Sequence, residues 1–307
     1  DLATAAEGAD VRVALYDLDP ITLAPDYASL GRAPERGARA VVIAHFYGVP
    51  VDLEEVQKIA EPYGATVVED AAQAIGASWR GKPAGSLAPL GVLSFGRGKG
   101  LNGGGGGALL LNAASHTTSL GVQARHAGWG ELVRASAQWL LARPGIYAVP
   151  AAFPFLRLGE TIYHEPHPPR ALARASTRML RANWSSAHAE AATRRHNAER
   201  LNAAARASAA WQPIRVAPQA QPGYLRLPLI PSSTRDAAVM ESGAKLGIMP
   251  GYPETLLSLA PFRARCINTA DSFPGAEALA RNLVTVPTHA LLTEDDMQQI
   301  EDWLQRR

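Results

Sequence analysis

Val67 to Leu111 reads VVEDAAQAIGASWRGKPAGSLAPLGVLSFGRGKGLNGGGGGALLL, the richest segment of the chain in chemistry-bearing residues. An aliphatic run that ends in Glu69-Asp70, with Gln73 three residues on, predicts a strand carrying an acid and an amide at its carboxyl end. In open α/β sheets that edge is where ligands bind. Two further apolar runs, Leu90 to Phe95 and Ala108 to Leu111, flank the glycine tract Gly103 to Gly107. Ser94 stands at the end of the first run, and Lys99 follows in a loop of glycines. Glycines beside a lysine let the backbone bend tightly and approach a ligand, and their free N–H groups suit an anion such as phosphate. A nucleotide P-loop requires Gly, four residues, then Gly-Lys-Ser/Thr. Here Leu93 and Gly100 occupy the defining positions, so both ends of that pattern fail. Asp, Gln, Ser and Lys in this order fit a pyridoxal phosphate (PLP) site instead. Such a site needs a lysine to hold the cofactor aldehyde, a carboxylate for the pyridine nitrogen and a hydroxyl for the phosphate.

Outward from this stretch, Val11 to Tyr16 and Ala40 to Phe46 are β-branched and aliphatic runs without alternation, which predicts strands buried on both faces of a parallel sheet. Asp52 is placed to cap Leu53 to Ala60, where Leu53, Val56, Ile59 and Ala60 recur at helical spacing and Glu55 holds the capping-box position. Ala65 to Glu69 is the next strand, so strand, helix and strand alternate as in an α/β domain. Ser115 to Ala210 reads as helix, interrupted by a Pro-rich connector from Pro144 to Pro169. Its last part, Arg170 to Ala210, is one long helix or two broken near Trp184. Beyond Trp211 come a strand at Tyr224 to Ile230, a helix near Arg235 to Leu246, a strand at Leu283 to Val286, and a helix capped by Thr293 with Asp296. The expected architecture is α/β: a large domain on a mainly parallel sheet over residues 1–127, a helical and Pro-rich connection over 128–210, and a smaller C-terminal α/β domain over 211–307.

Composition narrows the function classes. The chain has 307 residues, 47% hydrophobic and 19% charged, with no apolar run of membrane-spanning length, so disorder and a membrane span are not expected. Its 30 basic and 28 acidic side chains leave a formal +2 with no basic block, which gives a nucleic-acid or membrane-surface role no support. Cys266 is the single cysteine, which excludes an internal disulfide and a cysteine-based zinc site and suits a reducing compartment, with the cytoplasm as the expected location. Only Lys58, Lys82, Lys99 and Lys245 are lysines, so a lysine in a glycine loop stands out.

Four motifs in register resemble the DegT/DnrJ/EryC1/StrS family of PLP-dependent sugar aminotransferases, which have the aspartate-aminotransferase (type I) fold. They are His45-Phe46-Tyr47-Gly48 with Pro50 and Asp52, Glu69-Asp70-Ala71-Ala72-Gln73-Ala74, Ser94-Phe95 with Lys99, and Gly106-Gly107-Ala108. Pro274-Gly275-Ala276-Glu277 and Val286-Pro287-Thr288-His289 with Leu292-Thr293 are similar to the family's closing segment. The resemblance implies that Lys99 binds the cofactor and shuttles the proton, that Asp70 pairs with the pyridinium nitrogen, that Gln73 contacts the ring hydroxyl or stacks beside it, and that Ser94 binds phosphate. It also implies transfer of an amino group, with glutamate as donor, to the keto group of a nucleotide-linked sugar in polysaccharide or glycoconjugate synthesis, by a homodimer. The family's dehydratases carry histidine where Lys99 stands, so transamination is the expected reaction. The family's N-terminal Gly-Thr/Ser helix start and ring-covering aromatic are not matched before Asp1, and its Gly-Tyr-Asn segment is not recognisable where Leu158-Gly159-Glu160-Thr161 stands. The alternatives are a cofactor-free homologue with a binding or regulatory role and a PLP enzyme of another reaction type. His45 reads as a packed, hydrogen-bonded strand-end residue before it reads as a ligand, and His164, His167 and His289 lack metal-like spacing. Phe153 to Leu158 is read as an apolar patch that contacts a partner subunit or packs in the core.

Overall fold

The computed structural model describes residues 2–96, 98–113, 128–130, 133, 165–168, 170–233 and 237–306. The apolar patch at 153–158 and the segment Leu158 to Thr161 lie outside the described residues. In chain order the first half contains α1 (Leu2–Gly8), α2 (Tyr27–Glu35), β1 (Ala40–Ala44), α3 (Leu53–Ala60), β2 (Thr66–Asp70), β3 (Ser78–Trp79), β4 (Lys82–Pro83), β5 (Leu90–Ser94) and β6 (Gly107–Leu111). There follow α4 (Arg174–Asn183), α5 (Ser186–Ala207), β7 (Trp211–Pro213), β8 (Ala220–Gln221), β9 (Leu227–Pro231), α6 (Ala237–Ala244), β10 (Met249–Pro250), α7 (Ala260–Arg263), α8 (Pro274–Asn282), β11 (Val284–Val286) and α9 (Glu294–Gln305).

The N-terminal sheet has the order β1-β2-β5-β6. Its first three strands are parallel and β6 returns antiparallel to β5, so the α/β class holds with a mixed sheet. Register places Ile43 beside Glu69 and Gly91, and Ala44 beside Asp70 and Val92. Side chains alternate along each strand, so Val41, Ile43, Val67 and Glu69 share one face and Asp70, Val92 and Ser94 the other. The first face is buried against Leu30 of α2 and Leu53, Val56 and Ala60 of α3. On the second face Val42, Leu109 and Leu111 are exposed, which corrects the expectation of burial on both sides for β1. The described helices α2 and α3 cover one side only.

The predicted strand at Val11 to Tyr16 does not form. Val13 makes a single bridge to Cys266, and the side-chain amide of Asn268 then takes both backbone groups of Leu15, at 2.9 and 3.0 Å. A side chain that replaces a strand partner ends the ladder after one rung. Tyr16 crosses to the edge strand β1 and donates its hydroxyl to Val42 O at 2.8 Å. Asp52 caps α3 by accepting from Glu54 N at 3.0 Å. The expected capping box is replaced by another pairing, because the Glu55 carboxylate binds Lys58 Nζ at 2.6 Å.

The second sheet, β10-β11-β9-β7, is antiparallel throughout. Its strand β9 starts at Leu227, later than predicted, because Tyr224 has a left-handed backbone (φ 42°) and Leu225 N is taken by Tyr47 O. Leu227, Leu229, Val284 and Val286 pack with Ala198, Leu201 and Ala205 of α5 and Met297, Ile300 and Leu304 of α9. Of the two readings of Arg170 to Ala210, one helix or two, the second holds: α4 ends at Asn183 and α5 starts at Ser186, with the break at Trp184. A small sheet, β4-β3-β8, joins Ser78 and Trp79 to Gln221 and Ala220.

Candidate active site

Two parallel strands deliver the acid and the hydroxyl to one edge. Asp70 closes β2 and Ser94 closes β5, on the same face, because Asp70 pairs with Val92 and Ser94 stands two residues further on. One Asp70 oxygen accepts from Ala72 N at 3.0 Å, which turns the chain away from the strand. Ser94 Oγ lies 3.5 Å from Gly96 N, at the start of the lysine loop. That loop is drawn in at its neck, where Phe95 N donates to Gly106 O and Gly103 N donates to Phe95 O, both at 2.9 Å. Gly104, Gly105 and Gly106 all have positive φ, which residues with a Cβ rarely adopt, so the glycine tract is a geometric requirement of this return.

Lys99 is half-buried in the loop. Burial pushes its amine below the ordinary lysine value, and the Asp70 carboxylate, close enough to act on it, pulls the other way. The net result is a larger fraction of neutral, nucleophilic amine near neutral pH. Beneath the loop lies the Arg194 guanidinium of α5, bonded to Glu190 Oε1 at 2.8 Å.

Gln73 is engaged at both ends of its carboxamide. Oε1 accepts from Tyr47 N at 2.8 Å, and Nε2 donates to the Tyr252 hydroxyl at 2.6 Å. Tyr47 occupies the left-handed region (φ 56°), an uncommon conformation for a bulky residue and one that marks a fixed turn. Its backbone is held on both sides, by Gln73 Oε1 on its N–H and by Leu225 N on its carbonyl at 2.8 Å, and its neighbour Gly48 leaves no room for a Cβ, which would approach Gln73 O to 2.9 Å and Tyr224 N to 3.0 Å. Tyr252 packs its ring against Phe46 and Tyr47 at 6.0 and 6.1 Å, and Asp70 lies within electrostatic reach of its hydroxyl.

His45 belongs to the other face. Its ring is fully buried, with Nδ1 accepting from Val51 N at 3.1 Å, so the neutral ring carries its proton on Nε2 and donates to Glu69 Oε1 at 2.9 Å. Glu69 also accepts from Gly85 N and, at 2.8 Å, from Leu87 N. This is a buried, satisfied network that fastens the 83–87 turn under the sheet. It gives His45 the packed role that strand-end position suggested. Sequence reading singled out neither Glu69 nor Tyr252. Glu69 sits in the same quoted run as Asp70, but only strand alternation separates their faces. Tyr252 meets Gln73 across 179 residues, and no local pattern announces it. Among the described residues no group of His, Cys, Asp and Glu could hold a metal ion, and no helix is long and apolar enough to cross a membrane.

The L-glutamine:2-deoxy-scyllo-inosose aminotransferase of Streptomyces lividus is 30% identical over 193 residues, 62% of this chain and 41% of that protein. A pleiotropic regulatory protein of Geobacillus stearothermophilus is 38% identical over 87 residues, 28% of this chain and 23% of that one. The chain thus matches less than half the length of either relative. In fold it is similar to DesV of S. venezuelae, solved in complex with a ketimine intermediate, with a TM-score of 0.71 at 18% identity over 99% of this chain and 81% of that one. The model of the DegT/DnrJ/EryC1/StrS aminotransferase family matches residues 3–131 and 172–305, and the chain belongs to that family.

Proposed function

We propose that the chain is a PLP-dependent aminotransferase that moves an amino group from an amino-acid donor to the keto group of a sugar. The observation that carries the reading is Lys99: a half-buried amine in a glycine loop, lowered by desolvation and within electrostatic reach of the Asp70 carboxylate at the end of β2. The donor set fits the cofactor. A neutral amine can take its aldehyde, a carboxylate can keep its pyridine nitrogen protonated, and Ser94 with the backbone after β5 can meet its phosphate. When bound, PLP supplies an electron sink that stabilises negative charge on the donor's α-carbon. Lys99 Nζ would hold the cofactor aldehyde and, as an amine, would be the base for the donor's α-proton and, once protonated, the acid that gives a proton back. Asp70 would hold the protonated pyridine nitrogen, and Ser94 would hold the phosphate. The donor leaves as a 2-oxo acid and the acceptor ketone leaves as an amine.

The three-part division at 127 and 210 rests on the reading of strand, helix and Pro-rich runs; the other finer parts rest on the resemblance: the type I fold, a homodimer, a glutamate donor and a nucleotide-linked sugar acceptor. The name of the relative from Streptomyces lividus puts 2-deoxy-scyllo-inosose and L-glutamine beside these as substrates to assay. A regulatory reading without cofactor is favoured by one observation, the match to the pleiotropic regulatory protein.

The test is the visible absorption spectrum of the purified chain with PLP, beside Lys99→Ala. The expected result is a new visible band in the wild type, absent in the variant. Borohydride reduction and peptide mass mapping should then put the cofactor's mass on Lys99. A folded wild-type chain with no band favours the regulatory reading.

A further inference from the structure

Gln73 and Tyr252 meet within electrostatic reach of Asp70, and none of the roles above uses their contact. Resting on the PLP reading, we propose that Tyr252 is a cofactor-facing residue whose phenol hydroxyl donates a hydrogen bond to the ring oxygen of the bound pyridine, beside the Gln73 carboxamide.

The geometry fixes the direction of each bond. Tyr47 N–H can only donate, so the Gln73 atom it meets is the carbonyl oxygen, and the amide nitrogen is the atom turned towards Tyr252. That nitrogen donates, so the phenol oxygen accepts at 2.6 Å and its own hydrogen is not used in this contact. The amide nitrogen has a second hydrogen as well. Two hydrogen-bond donors therefore meet at one point, on a tyrosine that is 48% exposed, beside a carboxylate. An acid for a ring nitrogen together with paired donors for an oxygen is the complement of a 3-hydroxypyridine. Burial raises the Tyr252 hydroxyl above its ordinary value and Asp70 adds to the rise, against the Gln73 bond, so the phenol stays protonated and remains a donor at neutral pH.

The position of the hydroxyl is set by packing that does not need it. The ring stands edge-on to Phe46 at 71° and tilted to Tyr47 at 37°. Tyr252→Phe therefore removes the donor and keeps the platform. Tyr252 follows β10, whereas Gln73 follows β2, so through this residue the C-terminal sheet would take part in holding the cofactor.

The experiment is an absorbance titration of the full chain with PLP, for wild type and Tyr252→Phe, with the melting temperature of each unliganded protein. The expected result is about tenfold weaker PLP binding in Tyr252→Phe, the loss of one hydrogen bond, with a displaced visible band and an unchanged melting temperature before PLP is added. Titrations that overlay in affinity and band position overturn the proposal. So does a variant whose unliganded protein already melts lower, since the hydroxyl then serves the fold. A folded wild type that takes up no PLP defeats the cofactor reading and the role of Tyr252 with it, and the blank wild-type titration tells that failure apart from an overlay.

Discussion

Lys99 and Lys58 show how the same side chain is tuned in opposite directions. Lys58 is exposed on α3, and its bond to Glu55 raises its amine above the ordinary lysine value. Lys99 is lowered, chiefly by burial, while the Asp70 charge opposes part of that effect. An acylating reagent reacts only with neutral amine, so labelling as a function of pH should give Lys99 a lower midpoint than Lys58, read by peptide mass mapping. Removing the charge in Asp70→Asn removes the force that favours the ammonium, and the Lys99 midpoint should move lower still. A midpoint that rises, or one equal to that of Lys58, would contradict the site as described. With four lysines in the chain, each labelled peptide is readily assigned.

At the scale of elements, α9 has a local start signal that can be tested apart from the site. Thr293 Oγ1 accepts from Asp296 N at 3.2 Å, and the Asp296 carboxylate accepts from Thr293 N at 2.9 Å, completing a capping box. Thr293→Ala should cost about 1 kcal/mol and lower the melting temperature by about 2 °C. Arg200 of α5 reaches Glu294 and Glu301 of α9 at 2.7 and 3.0 Å, but Glu294 is largely in water. Arg200→Ala should therefore have a smaller effect, one that fades in high salt, as thermal melts at two ionic strengths would show. If Thr293→Ala melts with the wild type, the helix end is held by tertiary packing and not by its cap. The cap and the ion pairs fasten an element whose apolar side is already buried, with the Trp211 and Trp303 rings 5.1 Å apart and tilted by 31° between strand and helix.

Across the whole molecule, the two ends of the chain are joined by one buried acid. Asp17 accepts from Gly275 N at 2.9 Å and Ala276 N at 2.8 Å, the free N–H groups at the start of α8. Gly275 is required there, because a Cβ would overlap the Leu18 carbonyl oxygen. This is the physical reason for the Pro-Gly-Ala-Glu motif seen in the sequence. Gly275→Ala should cost about 1–3 kcal/mol by overpacking, measured in denaturant unfolding, and a variant as stable as the wild type would show that the junction yields.

Much of this protein was legible locally. Local runs and caps gave β2, β5 and α3 nearly to the residue and the start of α9, and the order Asp70, Gln73, Ser94, Lys99 marked one edge of one sheet, because strand-end chemistry is written in adjacent residues. The prediction at Val11 to Tyr16 failed because strand propensity does not supply a partner, and Asn268, far along the chain, occupied the backbone of Leu15. Only the tertiary structure turned His45 and Asp70 to opposite faces of the sheet. It alone spent both ends of Gln73 on Tyr47 and Tyr252, and bound Asp17 to α8 across more than 250 residues. A sequence determines which backbone hydrogen bonds are made nearby; which distant groups satisfy the rest depends on how the sheets pack.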